Sequence, residues 1–253
     1  MKSKKEKRLD IAVNTFILVG MLVAVVITNL MRLRGGDTRM LVSYIASFGA
    51  LMGVVNAVLS ANGSIWTYIF GIVDVGITAF VAYDNDAWGN YGLHLFFFLP
   101  MQFAGFFLWL KRLHSKEDGK GRQRVISRWL PAKGWTFTAL SFIVLSTLLF
   151  FVLRRVDRTP AIAGLDASIF ALNIIGQILM SLAYTDQWFI WIAVDIASVA
   201  MWALTSASSA SSAYAVVYVA KYFFYTLNAI NGLRVWMKLG EAPAKISEGP
   251  EKP

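Results

Sequence analysis

The chain has 253 residues, of which 57% are hydrophobic and only 15% are charged, whereas soluble domains carry about a quarter charged residues. Its net charge of +9 does not indicate a nucleic-acid partner, because the basic residues lie between apolar stretches, as in membrane proteins. The lack of cysteine excludes disulfides, thiolate nucleophiles and cysteine-based metal sites.

Eight apolar stretches are long enough to cross a bilayer as helices, which takes about 20 residues each. They cover residues 11–31, 40–60, 65–83, 91–110, 135–153, 161–184, 187–205 and 213–236. Polar turns at 61–64 and 84–86 and a serine-rich run at 206–212 separate some of them. A long polar loop, 111–133, lies at mid-chain, and the tail after Gly240 is predicted to be disordered.

The distribution of basic residues predicts that both termini lie in the cytoplasm. An even number of spans places the two termini on one side. The N-terminus, the loop 111–133 and the C-terminal tail together hold most of the 24 Lys and Arg residues, and such loops stay inside. The first stretch is too long for a signal peptide and ends in bulky residues, so we expect an uncleaved helix.

A short pattern occurs twice, about half the chain apart. Val73-Asp74-Val75 is followed by Gly105-x-x-x-Trp109, and Val194-Asp195-Ile196 is followed by Gly232-x-x-x-Trp236. The copies lie four spans apart, so they run in the same direction. A three-span unit needs one further crossing before a parallel copy can begin. The pattern therefore predicts an all-α integral membrane protein of eight transmembrane helices, with one leading helix and a 3+1+3 parallel-repeat core.

This plan divides the chain into five parts. They are an N-terminal tail and extra helix (1–38), a first three-helix repeat (39–112), a cytoplasmic loop and linker helix (113–158), a second repeat (159–238) and a tail (239–253). Duplicated halves are a common plan of membrane carriers, whose substrate site forms where the halves meet. The sequence thus predicts a small-solute transporter; an intramembrane enzyme would need a nucleophile–base pair in the spans, and none is evident.

The seventh span carries the strongest candidate site. Trp188, Trp191, Asp195 and Trp202 lie at helical spacing on one face. Rings beside a carboxylate suit a flat, positively charged heterocycle, because the rings attract the cation and the carboxylate offsets its charge. The alternative is that the tryptophans belong to the interfacial aromatic belt.

Further polar side chains inside the spans are candidates for binding hydroxyl or carboxamide groups. They are Gln102, next to a proline that predicts a kink, and Asn173, Gln177, Tyr225 and Asn228. The alternative for each is a hydrogen bond between helices.

Charged residues in the spans need a cavity or a partner. Asp74 takes the matching place to Asp195 and either faces the substrate or pairs with Lys221, whereas Asp166, near a span end, is expected to be structural. No His or carboxylate group has metal-ligand spacing, so neither a metal nor a cofactor is predicted.

Four motifs together are more specific than any one alone. They are Tyr68-Ile69-Phe70-Gly71, Leu99-Pro100-Met101-Gln102-x-x-Gly105, Trp188-x-x-Trp191 and Asn228-x-x-Asn231-Gly232. Over about residues 49–238 the chain resembles the PnuC family of bacterial vitamin transporters.

The resemblance implies a core related to SWEET sugar transporters, a homotrimer in the bacterial inner membrane, and facilitated diffusion of nicotinamide riboside, which cytoplasmic phosphorylation then traps. It implies that Trp188 and Trp191 belong to the substrate site, and it matches Gln102 and Asn228 to polar motif positions. Relatives for thiamine, riboflavin and deoxynucleosides look alike, so the solute stays open. Proton coupling through one of the two aspartates also stays open.

Overall fold

A computed structural model describes residues 4–34, 40–84, 88–114, 124–155, 160–208 and 212–240. The helices are α1 (Lys4–Arg34), α2 (Met40–Ala61), α3 (Trp66–Asp84), α4 (Trp88–Leu93), α5 (Leu99–Leu110), α6 (Ala132–Arg154), α7 (Pro160–Ser181), α8 (Gln187–Ser208) and α9 (Ser212–Met237). A π-helical turn, His94–Phe98, joins α4 to α5. Two short antiparallel strands, β1 (Leu113–His114) and β2 (Arg124–Val125), were not predicted.

Six helical stretches among the described residues are long and apolar enough to cross a membrane. They are Arg8–Thr28, Tyr44–Ala61, Trp66–Asp84, Asn90–Leu110, Ala132–Arg154 and Ala163–Ser181, and a shorter apolar stretch covers Gln187–Met201. On α6 the side chains of Phe137, Leu148 and Phe151 are more than half exposed, as expected of a surface that meets lipid. The predicted class, an essentially all-helical multi-pass membrane protein, is confirmed.

Several predicted boundaries shift. Helix α1 begins at Lys4 rather than residue 11, because its charged first residues are good helix formers that extend it beyond the apolar stretch. Helix α7 ends at Ser181, since Ala183 adopts a left-handed backbone with φ 59°. Helix α8 reaches Ser208, inside the serine-rich run predicted as a turn. Residues 85–87, which include most of the turn predicted at 84–86, lie outside the described residues, as do residues 209–211 and the tail from 241.

The disturbance predicted at the proline of the fourth span takes the form of a π-helical turn. The backbone N–H of Leu99 donates to the carbonyl of His94, five residues back, and Pro100 follows in the first turn of α5. Such turns are rare and often lie at functional sites. Gln102 lies directly after this one, on the inner side of α5.

The helices form two similar groups. We call α2 to α5 the first half and α7 to α9 the second half. Helix α2 packs on α3 and α3 on α5, while α7 packs on α8 and α8 on α9. The halves meet where α2 contacts α9 and where α5 contacts α7. Helix α6 packs on α7, and α1 lies against both α2 and α9.

Two tryptophans fasten the halves to each other by crossed hydrogen bonds. The indole N–H of Trp109 donates to the carbonyl of Met180 at 2.9 Å. The indole N–H of Trp236 donates to the carbonyl of Ser60, also at 2.9 Å. Their rings lie 5.4 Å apart and are fully buried. The Trp of each repeated Gly-x-x-x-Trp pattern thus closes the end of the first helix of the opposite half.

The same pairing recurs in the glycines of the pattern. A Cβ added to Gly105 would lie 2.6 Å from the Tyr68 hydroxyl, and one added to Gly232 would lie 2.6 Å from the Trp188 indole. Both glycines therefore allow a ring to pack closely on their helix. Tyr68 and Trp188 are equivalent in the two halves.

The turns after α2 and α7 also correspond. Gly63 and Ala183 both have positive φ, 65° and 59°. Three pairs of equivalent residues have the same spacing in the sequence, and this spacing fixes the register of the repeat. The pairs are Gly63 and Ala183, Ser60 and Met180, and Tyr68 and Trp188. The turn predicted at 61–64 is confirmed, and its left-handed residue is Gly63, whereas the equivalent turn has alanine at position 183 and therefore no glycine signal in the sequence.

Helix α1 ties the two halves together on one side. Ile17 and Met21 are buried against Val54 and Val58 of α2, with Phe224 of α9 packed beside them. Towards the N-terminal end, the guanidinium of Arg234 in α9 donates to the carboxylate of Asp10, and a chain of side-chain amides leads on from Arg234 to the end of α2. The amides are those of Asn231, Asn14 and Asn62.

Part of the loop predicted as polar is packed against the helix ends. We call residues 124–130 the strap. Val125 is 1% exposed, its N–H donates to the carbonyl of Gly63 at 3.0 Å, and the N–H of Arg128 donates to the carbonyl of Ala183 at 3.1 Å. The strap therefore touches the equivalent turns of both halves. The polar loop predicted at 111–133 thus includes a buried segment, whose backbone groups complete the two turns.

Candidate functional site

Trp188 lies in the core rather than in an interfacial belt. It is 3% exposed, its ring meets that of Trp236 edge-on at 5.9 Å, and it packs flat on Gly232. Its indole N–H is buried and has no hydrogen-bond partner among the residues that the structure describes. A buried donor left unpaired costs about 1–3 kcal/mol, so this group is a candidate for a bond to a ligand.

Trp191, one turn further along α8, is held from two sides. Its indole N–H donates to the side-chain oxygen of Gln187 at 3.3 Å. Its ring lies against Gly176 of α7, where an added Cβ would be 3.1 Å from the indole. The ring is only partly buried, so one side of it remains available to a ligand. Gln187 was not predicted, although its position four residues before Trp191 signals an i,i+4 contact.

Asp195 is buried, with 7% of its surface exposed, on the same helix as both tryptophans. A carboxylate at this depth needs a partner or a cationic ligand. The side chain of Trp202, predicted to continue this face, lies outside the described residues, as does that of Lys221.

The prediction that Asp74 takes the matching place in the first half is wrong by one residue. Counted from the pairs that fix the register, Asp74 is equivalent to Val194, and Asp195 to Val75. One residue turns a helix by about 100°, so the two carboxylates point in different directions. A Cβ added to Gly53 would lie 2.9 Å from the Asp74 carboxylate, which therefore packs on α2.

Gln102 enters the core from α5 and lies over Gly71 of α3. It is 3% exposed, and its side-chain oxygen is buried without a hydrogen-bond partner. Asn56 of α2 approaches the same point, and the buried hydroxyl of Thr67 donates to the Asn56 side-chain oxygen. Asn56 and Thr67 were missed in the sequence, although an amide inside an apolar span was a usable signal.

The two candidates on α9 face the boundary between the halves. The amide of Asn228 donates to the carbonyl of Ala57 in α2 at 3.1 Å, while its own oxygen is buried without a partner. Tyr225 packs with residues of α1 and α2, next to Ile17 and Val54. Asn228 thus combines a hydrogen bond between helices with an unused acceptor.

The two candidates on α7 differ. Asn173 donates to the carbonyl of Ile169, four residues back in its own helix, at 2.8 Å. Gln177 is 5% exposed, and its side-chain nitrogen has no partner. Asp166, expected to be structural, lies partly buried near the start of α7.

The buried polar atoms without partners come from both halves. Among the described residues they belong to Gln102, Gln177, Gln187, Trp188 and Asn228, besides Arg128 and Thr185 near the strap. Natural proteins leave few such atoms, so this concentration favours a polar ligand. Within the described residues, no three His, Cys, Asp or Glu side chains are placed to hold a metal ion.

The chain is similar to a set of known transporters over most of its length. A model of the family described as Nicotinamide mononucleotide transporter matches residues 43–238. The Nicotinamide riboside transporter PnuC of Haemophilus influenzae is 31% identical, and the match covers 78% of this chain and 80% of that protein. The proteins of the same name from Neisseria mucosa and Escherichia coli are 28% and 24% identical, over 78% and 77% of this chain and 73% and 85% of theirs.

A solved structure has the same fold. The crystal structure of the Vitamin B3 transporter PnuC matches with a TM-score of 0.67 and 26% sequence identity, covering 89% of this chain and 92% of that one. The match extends beyond residues 43–238, because 89% of the chain is more than that range contains.

Proposed function

This chain belongs to the nicotinamide mononucleotide transporter family, and we propose that its solute is nicotinamide riboside. It is a membrane transporter of a small molecule rather than an enzyme. The proposal is carried by Trp191, a partly buried ring held by Gln187 on the same helix as the buried carboxylate of Asp195. A pyridinium ring is flat and cationic, so it gains from both groups.

In this proposal the aromatic residues bind the base. Trp191 stacks on the pyridinium ring, and Asp195 offsets its charge. Trp188 forms the back of the site and offers its unpartnered indole N–H. Because Trp188 is fixed by Gly232 and Trp236, binding does not need to order it.

The polar residues bind the carboxamide and the ribose. Gln102, Asn228 and Gln177 each bring a buried amide atom that has no partner within the chain. Tyr225 and Asn173 complete the set from α9 and α7. A ribose supplies hydroxyls that both donate and accept hydrogen bonds, so it can satisfy such a mixed group of amides.

The proposed architecture in the membrane has eight transmembrane helices. Helix α1 leads. Helices α2 and α3 and the single span made by α4, the π-helical turn and α5 form one three-helix repeat. Helix α6 is the linker, and α7 to α9 form the second repeat. The same proposal includes the division of the chain after residues 38, 112, 158 and 238. It also includes an inner-membrane location with cytoplasmic termini, and a homotrimeric assembly. The basic residues of the N-terminus and of the mid-chain loop support the orientation.

The proposed mechanism is facilitated diffusion. The two halves rock against each other around a site near the middle of the membrane, and phosphorylation in the cytoplasm traps the solute. Among the described residues no metal-type cluster suggests a coupling ion.

Calorimetry on the purified full chain tests the solute. The panel is nicotinamide riboside, thiamine, riboflavin and a deoxynucleoside, and we expect nicotinamide riboside to bind most tightly. Tighter binding of thiamine would replace this solute with the other cationic vitamin. Accumulation inside sealed vesicles driven by an imposed pH gradient would replace facilitated diffusion with proton coupling.

The variant Trp191→Ala tests the site. We expect it to abolish saturable uptake into proteoliposomes and to weaken binding roughly 30-fold, since a desolvated cation–π contact contributes about 2 kcal/mol. Trp66→Ala is the matched control, because Trp66 is 59% exposed on α3. Near-normal uptake by Trp191→Ala would move the site elsewhere.

A further inference from the structure

Asn56 and Gln102 converge over Gly71, and we propose that these two amides select a ligand bearing a primary carboxamide over one bearing a carboxylate. This inference rests on the proposed function, because it takes the boundary between the halves as the substrate site. The proposed function assigns neither Asn56 nor Gly71 a contact with the solute.

The geometry is set by the missing side chain at residue 71. A Cβ added to Gly71 would lie 2.3 Å from the side-chain oxygen of Gln102 and 3.4 Å from the side-chain nitrogen of Asn56. Two different amides, from α5 and α2, thus reach the same point on α3. The oxygen of Gln102 is buried and has no partner within the chain.

Thr67 lies beside the Asn56 amide. Its fully buried hydroxyl has one hydrogen to donate and lies within hydrogen-bond distance of both the side-chain oxygen and the backbone carbonyl of Asn56. The nitrogen of Asn56 is the atom left towards Gly71. The pair therefore presents one donor, from Asn56, and one acceptor, from Gln102.

A primary carboxamide matches this pair. Its carbonyl accepts from the Asn56 nitrogen, and its N–H group donates to the Gln102 oxygen. A carboxylate has only acceptors, so the Gln102 oxygen would stay unpaired beside a negative charge. Such mismatches at buried polar groups give strong discrimination between ligands.

The second half uses the equivalent positions differently. Gly71 is equivalent to Trp191, and Asn56 to Gly176, in the register fixed by the turns. The large ring of Trp191 in the second half thus corresponds to a glycine, Gly71, in the first half. A flat ligand between the halves would meet a ring on one side and the amide pair on the other.

The test compares nicotinamide riboside with nicotinic acid riboside by calorimetry. We expect the wild-type protein to prefer the amide by about tenfold or more. Asn56→Leu and Gly71→Ala should lose this preference, the second because its methyl group displaces Gln102. Gly76→Ala, on the same helix with nothing within 4 Å of the added Cβ, should keep it.

The outcomes separate the two proposals. If the wild type binds neither riboside, the proposed function fails. If it binds the amide and both Asn56→Leu and Gly71→Ala keep the wild-type preference, the carboxamide inference fails alone. Thermal unfolding of each variant identifies one that does not fold, and the conservative Asn56→Asp then substitutes: its carboxylate cannot donate to the ligand carbonyl, so it too should lose the preference.

A second inference comes from the strap (124–130). We infer that it latches the end of the molecule where α2, α5, α7 and α9 terminate, and that its contacts with the first half break when this end opens. The contacts on the two sides differ in kind, which decides where release occurs.

The contacts with the first half are mainly backbone pairings. The N–H groups of Val125 and Ile126 donate to the carbonyls of Gly63 and Arg112 at 3.0 and 2.9 Å. Strand β2 also pairs with β1, and Arg124 forms a β-bridge with Ser64. The side chain of Val125 packs in the core shared by both halves.

The contacts with the second half include a charged acceptor. Arg128 exchanges backbone hydrogen bonds with Ala183 and Thr185, and the Ser127 hydroxyl donates to the carbonyl of Trp236 at 2.8 Å. The buried carboxylate of Asp186 accepts from the Leu130 N–H at 2.7 Å. Hydrogen bonds to a carboxylate are about twice as strong as neutral ones, so the strap should stay with the second half.

A carrier exposes its site to each side in turn, so this end must open during transport. The strap joins the turns of both halves, so opening has to break one set of strap contacts as well as the crossed hydrogen bonds of Trp109 and Trp236. The weaker set, at Val125, is the one expected to give way.

Disulfide cross-linking tests this, because the chain contains no cysteine of its own. A Cβ on residue 63 would lie 3.4 Å from Cγ1 of Val125, so Gly63→Cys with Val125→Cys can form a bond across the release point. Oxidation should lower uptake about tenfold or more, and reduction should restore it. Ala183 shows that the equivalent turn accepts a side chain at positive φ.

The matched control joins the strap to the half it stays with. A Cβ on Gly240 would lie 3.3 Å from the Ser127 hydroxyl, and oxidation of Ser127→Cys with Gly240→Cys should leave uptake unchanged. Unchanged uptake in a fully oxidised 63–125 pair would overturn the latch. If that variant does not fold, hydrogen exchange in the wild type decides, since the amides of Val125 and Ile126 should exchange faster than those of Arg128 and Thr185.

Discussion

The two halves share a frame at one end and differ towards the middle of the membrane. At the shared end, Trp109 and Trp236 make the same hydrogen bond to the opposite half, at the same 2.9 Å. About one helical turn further along α8 than Trp188, Trp191 takes the position that Gly71 holds in the first half. A duplicated fold is thus kept alike where the halves fasten each other and diverges where a solute would lie between them.

The divergence is a difference of size and polarity, not of backbone. In the second half a ring lies on Gly176, and in the first half two amides gather over Gly71. Helices α3 and α8 have no break between the register-fixing residues and these positions. The frame can therefore stay symmetric while the site becomes one-sided.

The largest effect expected from breaking the shared frame comes from Gly232→Ala. Three atoms of the rigid Trp188 indole would lie 2.6 Å from the new methyl group, and such overpacking costs about 1–3 kcal/mol. We expect a lower melting temperature and, because Trp188 moves, weaker solute binding. Gly105→Ala should lower stability similarly through Tyr68 but spare binding. Equal loss of binding in both variants would contradict the one-sided site.

A medium effect is expected from removing one crossed hydrogen bond. Trp109→Phe and Trp236→Phe each leave a buried carbonyl unpaired, at Met180 or Ser60, at a cost of about 1–3 kcal/mol. By the symmetry of the frame, the two variants should shift the melting temperature by nearly the same amount. A shift confined to one of them would show that the second bond adds nothing to the junction.

A smaller effect is expected from Gln187→Leu, which removes the acceptor for the Trp191 indole but keeps the side-chain volume. Stability should change little, because the bond is long at 3.3 Å. Solute affinity should fall a few-fold, since Trp191 loses an orienting contact. The check is calorimetry beside intrinsic tryptophan fluorescence, and unchanged affinity would remove Gln187 from the site.

The smallest effect is expected from Gly76→Ala and Gly164→Ala. Nothing lies within 4 Å of the Cβ added at either position. Both should change stability by less than about 1 kcal/mol, the difference in helix propensity, and should leave uptake as it is. A large loss at either residue would indicate a partner that packs on that surface.

The amino-acid sequence by itself determined the membrane class and the duplication. Hydrophobic stretches of bilayer length cannot be stable in water, and an α-helix pairs its backbone hydrogen-bonding groups within one segment. The membrane helices therefore follow from local composition. The repeated Gly-x-x-x-Trp pattern could be read for the same reason: a glycine and a tryptophan four residues apart share one helix face. The turn at Gly63 could also be predicted, because its polar residues are adjacent in the sequence.

Only the tertiary structure decided which atoms meet. The crossed bonds of Trp109 and Trp236 join residues far apart in the chain, and the strap is buried because two distant turns need its backbone groups. The sequence matched Asp74 to Asp195 because the two lie in similar tripeptides. The structure shifts the register by one residue, which turns the side chain by about 100°. The proposed role of the Asn56 amide depends on its contacts with Thr67, Gly71 and Gln102. These four residues come from three helices, so no pattern within one helix could predict that they meet.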